Sequence, residues 1–199
     1  VGVRLFGKSI EASPFVLRAF EEAAERGFGS AKIPFELVNI KTAGERNWQP
    51  GQPFPTAVIR DHPPAGETVI SWELSTPTRL TVAGKPLSPE KVHAASIVMP
   101  LLRRYGLMTG FHGQDNAQPD CKALKESSKG LKTVDANLHW QSLLRRSSRQ
   151  KATQSISGLM GSISIDTSDA PEWRQILDWA PILHLGKNTT MGLGRVAAL

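Results

Sequence analysis

The segment that most restricts the fold of this chain is a glycine-rich stretch near its end, LHLGKNTTMGLGRV at 183–196. It lies between an amphipathic helix and an apolar strand. Its glycines, Gly186, Gly192 and Gly194, leave backbone N–H groups open to an anion and let a phosphate backbone approach closely. A P-loop is excluded because Pro181 occupies the position of its first glycine. A dinucleotide-binding turn is excluded because the last two glycines lead into a strand rather than a helix.

Both halves of the chain end in the same order of elements: amphipathic helix, glycine-rich loop, apolar strand. This repetition predicts an α+β protein of two ferredoxin-like βαββαβ halves, the first incomplete at its N-terminus. We assign residues 1–45 to the remainder of the first half, 46–66 to a proline- and glycine-rich linker, and 67–199 to the second half with its glycine-rich loop. The same order of elements occurs in many α/β and α+β proteins, so the duplication is a hypothesis at this point.

Hydrophobic spacing gives the coarse elements of the second half. Residues 69–75 predict a strand with Ile70, Trp72 and Leu74 on one face. Residues 110–133 are polar and predict a loop. Short strands are predicted near 138–140 and 159–165. A helix starting at Pro171 is predicted to bury the apolar side chains at Trp173, Ile176, Leu177 and Ala180.

The composition indicates an intracellular protein with a polyanionic partner. The formal net charge is +6, which favours a partner such as nucleic acid. The single cysteine, Cys121, excludes a disulfide framework and a cysteine-rich zinc site. The sequence contains no apolar run of the roughly 20 residues that a membrane helix needs and no signal-peptide pattern. We therefore predict a cytoplasmic protein without a membrane partner.

The densest run of positive charge is RRSSRQK at 145–151. Its four cations are Arg145, Arg146, Arg149 and Lys151, and three polar side chains lie among them. Such a run suits contacts to RNA phosphates, which give salt-sensitive affinity independent of sequence. A solvated basic loop that binds nothing is the alternative.

Short motifs spread over nearly the whole chain resemble, in the same order, those of one family. The family is the CRISPR-associated endoribonucleases that process precursor CRISPR RNA (crRNA), members of the repeat-associated mysterious protein (RAMP) superfamily. The matching motifs are LFG at 5–7, ERGFG at 25–29, FELV at 35–38, FHG at 111–113, the basic run at 145–151, GLMG at 158–161 and the glycine-rich loop.

This resemblance implies that the chain binds CRISPR repeat RNA and cleaves it without a metal. In that reaction the ribose 2′-hydroxyl attacks the adjacent phosphate and leaves 2′,3′-cyclic phosphate and 5′-hydroxyl ends. It also implies RNA contacts from the basic run and from Gly186, Lys187, Gly192, Gly194 and Arg195. Many family members carry a catalytic histidine in the N-terminal part of the first half, which this sequence does not contain.

Two histidines are therefore the candidates for proton transfer. His184 adjoins the glycine-rich loop, and its ordinary pKa of roughly 6.5 suits acid–base chemistry; capping the preceding helix is the alternative role. His112 follows the second helix and is the next candidate. His139 alternates with core-facing neighbours on a strand. The sequence has no HExxH motif, no Cys/His cluster and no paired acidic site, so it predicts no metal and no cofactor.

Two other functions remain open at this stage. One is a non-catalytic RAMP subunit that holds crRNA in an effector complex together with other CRISPR subunits. The other is a general RNA-binding module. Cleavage of repeat RNA in EDTA separates the first hypothesis from both.

Overall fold

The computed structural model describes residues 5–27, 29, 31–36, 66–112, 119–147 and 152–199. The chain divides into two compact units, Val1–Arg60 and Asp61–Leu199. Nearly all of the predicted linker at 46–66 lies outside the described residues. The candidate site lies in the second unit.

The described part of the first unit is mainly helical. A 3-10 turn, Gly7–Ala12, leads into helix α1, Ser13–Arg26. Pro14 stands in the first turn, where its missing N–H costs no hydrogen bond. The helix ends at Gly27, whose φ of +82° is one that glycine adopts without steric cost.

The second unit contains one four-stranded antiparallel sheet with helices on one face. The bounds of its main elements are β1 Val69–Thr78, α2 Ala94–His112, α3 Cys121–Ser127, β4 Lys132–Gln141, β7 Gly158–Asp166, α4 Trp173–Leu177, α5 Ala180–Leu183 and β8 Val196–Ala198. The strands lie in the order β4-β7-β1-β8. Apart from short insertions, this is the βαββαβ connectivity of a ferredoxin-like fold, so the predicted α+β class is confirmed.

Two short hairpins are added to this framework. The first pairs β2, Thr81–Val82, with β3, Lys85–Pro86. The second pairs β5, Leu144–Ser147, with β6, Ala152–Ser155. It leaves the main sheet after β4 and returns at β7, which places the start of the basic run on an arm beside the sheet.

The core lies between the sheet and the helices, as the hydrophobic spacing predicts. Ile70, Trp72 and Leu74 are all buried, with 6%, 1% and 0% of their surface exposed. Burying side chains of this size contributes about 1.5–3 kcal/mol each. The sheet side chains pack against buried residues of the helices, namely Ile97, Val98, Leu101, Trp173, Ile176, Leu177 and Ala180.

The loop predicted over residues 110–133 is wrong for part of that range. Helix α3 forms there because Asp120 caps it, its carboxylate accepting hydrogen bonds from the backbone N–H groups of Lys122 and Ala123 at 3.0 and 2.9 Å. Strand β4 begins at Lys132. In the part of the chain that the structure describes, no helix is long and apolar enough to cross a bilayer.

Candidate nucleic-acid interface

The glycine-rich loop is held against the end of β1 by backbone hydrogen bonds. The N–H of Leu185 donates to the carbonyl of Gly194 at 2.7 Å, which closes the loop on itself. The N–H of Gly194 donates to Pro77 at 3.1 Å, and the N–H of Lys187 donates to Arg79 at 3.0 Å. The loop is therefore a built part of the fold, with β1 as its support.

The three glycines of this loop have different surroundings, although all have positive φ. A Cβ on Gly194 would lie 1.8 Å from the carbonyl oxygen of Leu185, and one on Gly186 would lie 2.5 Å from that of Arg79. A Cβ on Gly192 would meet nothing within 4 Å. Packing alone thus explains the glycines at 186 and 194, whereas only Gly192 faces open space where a ligand backbone could approach.

The exposed tip of the loop is shaped by a 3-10 turn and by one threonine of β1. Asn188 adopts the left-handed conformation, and Thr189–Met191 form the turn. The Thr76 hydroxyl donates to the carbonyl of Gly192 at 3.1 Å and accepts from the N–H of Arg195 at 2.8 Å. This leaves Thr190, Met191, Gly192 and the side chain of Arg195 exposed.

The β5–β6 hairpin lies beside this tip. Nη1 of Arg145 is 3.2 Å from the Sδ atom of Met191. Nη1 of Arg79, the residue that supports Lys187 through its carbonyl, donates to the carbonyl of Ser155 on β6 at 3.2 Å. The first cation of the basic run therefore reaches the glycine-rich loop, and Arg79 joins the loop to the hairpin.

A further cation reaches the loop from helix α2. Nη1 of Arg104 donates to the Thr189 hydroxyl at 2.7 Å. The guanidinium is partly buried, and this burial lowers the pKa of Arg104.

We call Arg79, Arg104, Arg145, Lys187 and Arg195 the loop cations. Within the described residues, none of them forms an ion pair with a carboxylate, whereas Arg174 lies 3.5 Å from the carboxylates of both Glu67 and Asp178. Five uncompensated positive charges around one exposed loop make a surface that attracts polyanions.

Three of the loop cations are predictable from the sequence and two are not. The sequence indicates Arg145, Lys187 and Arg195 as RNA-binding candidates, and the structure brings these three residues together. Arg79 gave no usable signal in the sequence. Arg104 gave a weak one, since it stands seven residues after the buried Ile97 and three after the buried Leu101, a spacing that places a charge at the edge of the core.

The rest of the basic run is only partly described. Arg146 belongs to β5, where its backbone pairs with Thr153. Arg149 and Lys151 lie outside the described residues, so their contribution to the interface stays a prediction.

The two candidate histidines occupy different places. His184 is the C-cap of α5 with φ of +62°, and its Nδ1 lies 3.3 Å from the carbonyl of Leu193, inside the loop. His112 is the last residue of α2 and is exposed. It stands eight residues after Arg104, about 12 Å further along the helix axis. Of the two, the structure places only His184 in the glycine-rich loop.

Comparison with known proteins gives a single family. The family model described as CRISPR-associated endoribonuclease Cas6 matches residues 73–196, which is more than half of the chain. No curated protein matches the chain significantly.

Several solved structures of Cas6 proteins are similar in fold. A Thermus thermophilus Cas6 in a product complex is 17% identical with a TM-score of 0.65, over 92% of this chain and 70% of that one. Another structure of the same protein is 18% identical with a TM-score of 0.52, over 66% and 53%. A second Cas6 product complex is 17% identical with a TM-score of 0.48, over 67% and 52%. The chain thus spans about half the length of two of these structures.

The likeness in fold agrees with the ferredoxin-like α+β architecture described above, and the matched region 73–196 contains all five loop cations. This chain therefore belongs to the family of the CRISPR-associated endoribonuclease Cas6.

Proposed function

We propose that this chain binds CRISPR repeat RNA on the surface formed by the loop cations and cleaves it as a precursor-crRNA-processing endoribonuclease. The proposal is carried by five cations from separate parts of the sequence that meet around one glycine-rich loop and have no ion-pair partner among the described residues. Cations of this kind bind the phosphates of RNA and fix its position, and they bind it more weakly as salt rises.

The chemistry we propose is attack of the ribose 2′-hydroxyl on the adjacent phosphate, without a metal. The oxygen–phosphorus bond that forms closes a 2′,3′-cyclic phosphate, and the bond that breaks releases the 5′-oxygen, which takes up a proton. Such a reaction needs a base for the 2′-hydroxyl, an acid for the leaving oxygen, and positive charge near the phosphorane. The loop cations are suited to the third task because they carry no competing carboxylate in the described part of the chain.

His184 is the first candidate for proton transfer. A carbonyl oxygen can only accept a hydrogen bond, so the contact of His184 with Leu193 is a hydrogen bond in the tautomer that carries its proton on Nδ1. In that tautomer, Nε2 is the nitrogen that would act in acid–base catalysis. The competing role is structural, because the backbone N–H of His184 closes helix α5 by donating to Ala180 at 2.8 Å.

The central experiment is cleavage of repeat RNA in EDTA, with a matched substrate that carries 2′-deoxyribose at the cleavage site. We expect cleavage of the first substrate and none of the second. Cleavage of the deoxy substrate at an equal rate would refute the mechanism. Binding without any cleavage would instead favour a non-catalytic RAMP subunit that holds crRNA with other CRISPR effector subunits, and failure to bind RNA would refute the function itself.

The same assay tests His184. His184→Asn is the substitution of choice, because asparagine keeps a polar side chain of similar reach and does not titrate near neutral pH. Loss of a general acid or base lowers the cleavage rate by about 10²- to 10⁴-fold. His139→Asn, at an exposed position of β4, is the matched control. His112→Asn tests the second candidate. A cleavage rate within a few-fold of the original for His184→Asn would leave that residue with the helix-capping role alone.

A further inference from the structure

Arg104 is the loop cation whose position is hardest to explain by folding alone. It stands on α2 next to the buried Leu101 and Leu102, at the edge of the core. Its Nε atom is buried and, within the described residues, makes no hydrogen bond. The only described polar partner of its side chain is the Thr189 hydroxyl of the glycine-rich loop.

Arg174 provides the internal comparison. Its Nε atom is also buried without a hydrogen bond that meets geometric criteria, but it lies 3.5 Å from the carboxylate of Asp178, and the guanidinium also faces Glu67. Negative charge therefore compensates Arg174. Arg104 has no such carboxylate among the described residues, so its partly desolvated charge weakens folding in the free protein.

A group that weakens folding and yet points at a functional loop is typical of a binding site that is completed by its ligand. The planar guanidinium with its several donors matches a phosphate better than any other side chain does. The exposed residues of the loop tip, Thr190 to Gly192, follow Thr189 directly, so a phosphate at this tip lies within reach of the outer nitrogens of Arg104.

We propose that Arg104 and the Thr189 hydroxyl form a phosphate-binding position within the interface, and that the chain keeps Arg104 there at a loss of stability in the RNA-free state. This inference rests on the proposed RNA function and adds one specific contact to it. It predicts opposite effects of a single substitution on stability and on binding, which a purely structural arginine would not produce.

The test is Arg104→Met, which keeps most of the packing volume and removes the charge and the unpaired donor. Its matched control is Arg103→Met, because Arg103 is the exposed neighbour on the same helix. For Arg104→Met we expect a Tm without RNA at least about 2 °C higher, in line with the relief of an unpaired buried donor in a chain of this size. We expect affinity for a non-cleavable 2′-deoxy repeat RNA to fall about tenfold or more, the equivalent of a lost charge-assisted hydrogen bond.

A phosphate-binding Arg104 and a purely structural Arg104 also predict different dependences of RNA affinity on salt. Removal of one phosphate contact should reduce the slope of log K against log salt by about 0.7 for single-stranded RNA. The control should leave Tm, affinity and slope close to those of the original chain. A lower Tm with unchanged affinity for Arg104→Met would overturn the proposal and make Arg104 a structural residue.

If the Arg104→Met chain does not fold, two other variants test the proposal. Arg104→Lys keeps the charge without the planar fork, and Thr189→Val keeps the shape of threonine without the hydroxyl. Both should weaken RNA binding with little change in Tm. Unchanged binding in both variants would contradict the proposal.

Inorganic phosphate separates this proposal from the function on which it rests. At fixed ionic strength, phosphate should raise the Tm of the original chain more than that of Arg104→Lys or Arg104→Met. If the original chain binds no RNA but shows this difference, the RNA function fails and the anion site stands. If RNA binds and depends on Arg145 and Lys187 but not on Arg104, the function stands and the Arg104 site is refuted.

Discussion

Substituting two glycines of the glycine-rich loop separates the structural role of the loop from its proposed role in RNA binding. Gly194→Ala introduces a Cβ that would lie 1.8 Å from the carbonyl oxygen of Leu185, at a residue with φ of +70°. The backbone must move to relieve this contact, and the hydrogen bonds that Gly194 makes with Leu185 and Pro77 would be lost or weakened.

The size of this effect follows from the two costs involved. A left-handed φ costs a non-glycine residue about 1–2 kcal/mol, and two backbone hydrogen bonds contribute about 0.5–1.5 kcal/mol each. We therefore expect Gly194→Ala to lose about 2–5 kcal/mol of folding free energy. For a chain of this size that corresponds to a decrease in Tm of roughly 5–20 °C. Thermal unfolding followed by circular dichroism measures it.

Gly192 is the matched position, because a side chain there meets open space. Asparagine and aspartate both tolerate its φ of +81° and differ only in charge, so Gly192→Asn and Gly192→Asp should both keep most of the stability. An added carboxylate about 6 Å from one phosphate costs ~0.7 kcal/mol in bulk water, which weakens binding about threefold, or about tenfold for two phosphates. Filter binding or fluorescence anisotropy with non-cleavable repeat RNA measures the ratio of the two affinities.

Two results would refute this reasoning. Equal RNA affinities of Gly192→Asp and Gly192→Asn would mean that no phosphate approaches the tip of the loop. An unchanged Tm for Gly194→Ala would mean that the close packing against Leu185 does not constrain this residue.

Three further predictions concern the rest of the second unit. Replacing Arg145 and Lys187 together by glutamine should flatten the slope of log K against log salt by about 1.4 for single-stranded RNA. Glutamine at the exposed Lys122 is the control and should leave the slope unchanged. Equal slopes for both variants would mean that Arg145 and Lys187 do not contact phosphates. Gly161→Ala should lower Tm without a specific effect on RNA affinity, because a Cβ there would lie 2.1 Å from a carbonyl oxygen of the neighbouring strand β4; an unchanged Tm would contradict it. Burial raises the pKa of the Asp178 carboxyl in the folded chain. The protonated carboxyl therefore contributes to stability below its ordinary pKa of about 3.9, and this contribution is lost as pH rises through the raised pKa. Asp178→Asn should therefore gain stability relative to the original chain between about pH 3 and pH 7 in urea titrations, and a constant difference would contradict the assignment.

Local pattern was enough to predict the elements that carry the fold. The alternation of Ile70, Trp72 and Leu74 identifies the face of β1 that packs on the helices, because successive side chains of a strand point to opposite faces. The same logic with helical spacing places Trp173 and Ile176 in the core. Hydrophobic spacing does not predict helix α3, because its seven residues are mostly polar. The feature that indicates this helix is the N-cap Asp120.

The sequence also located the glycine-rich loop, but it could not assign different roles to the glycines within it. The sequence does not distinguish Gly186, Gly192 and Gly194, since any glycine allows positive φ. Only the tertiary structure shows that the first and last lie against backbone carbonyls and that the middle one faces open space.

The composition of the interface was decided almost entirely by tertiary structure. Arg104 stands 85 residues before the threonine to which it donates, and Arg145 stands 46 residues before the methionine it touches. Contacts over such separations depend on the order of the strands in the sheet and on the packing of α2 against it. Neither the strand order nor the packing of α2 can be deduced from local composition. The sequence by itself therefore determined the class of fold and the place of one loop, and the antiparallel order β4-β7-β1-β8 determined which distant cations surround that loop.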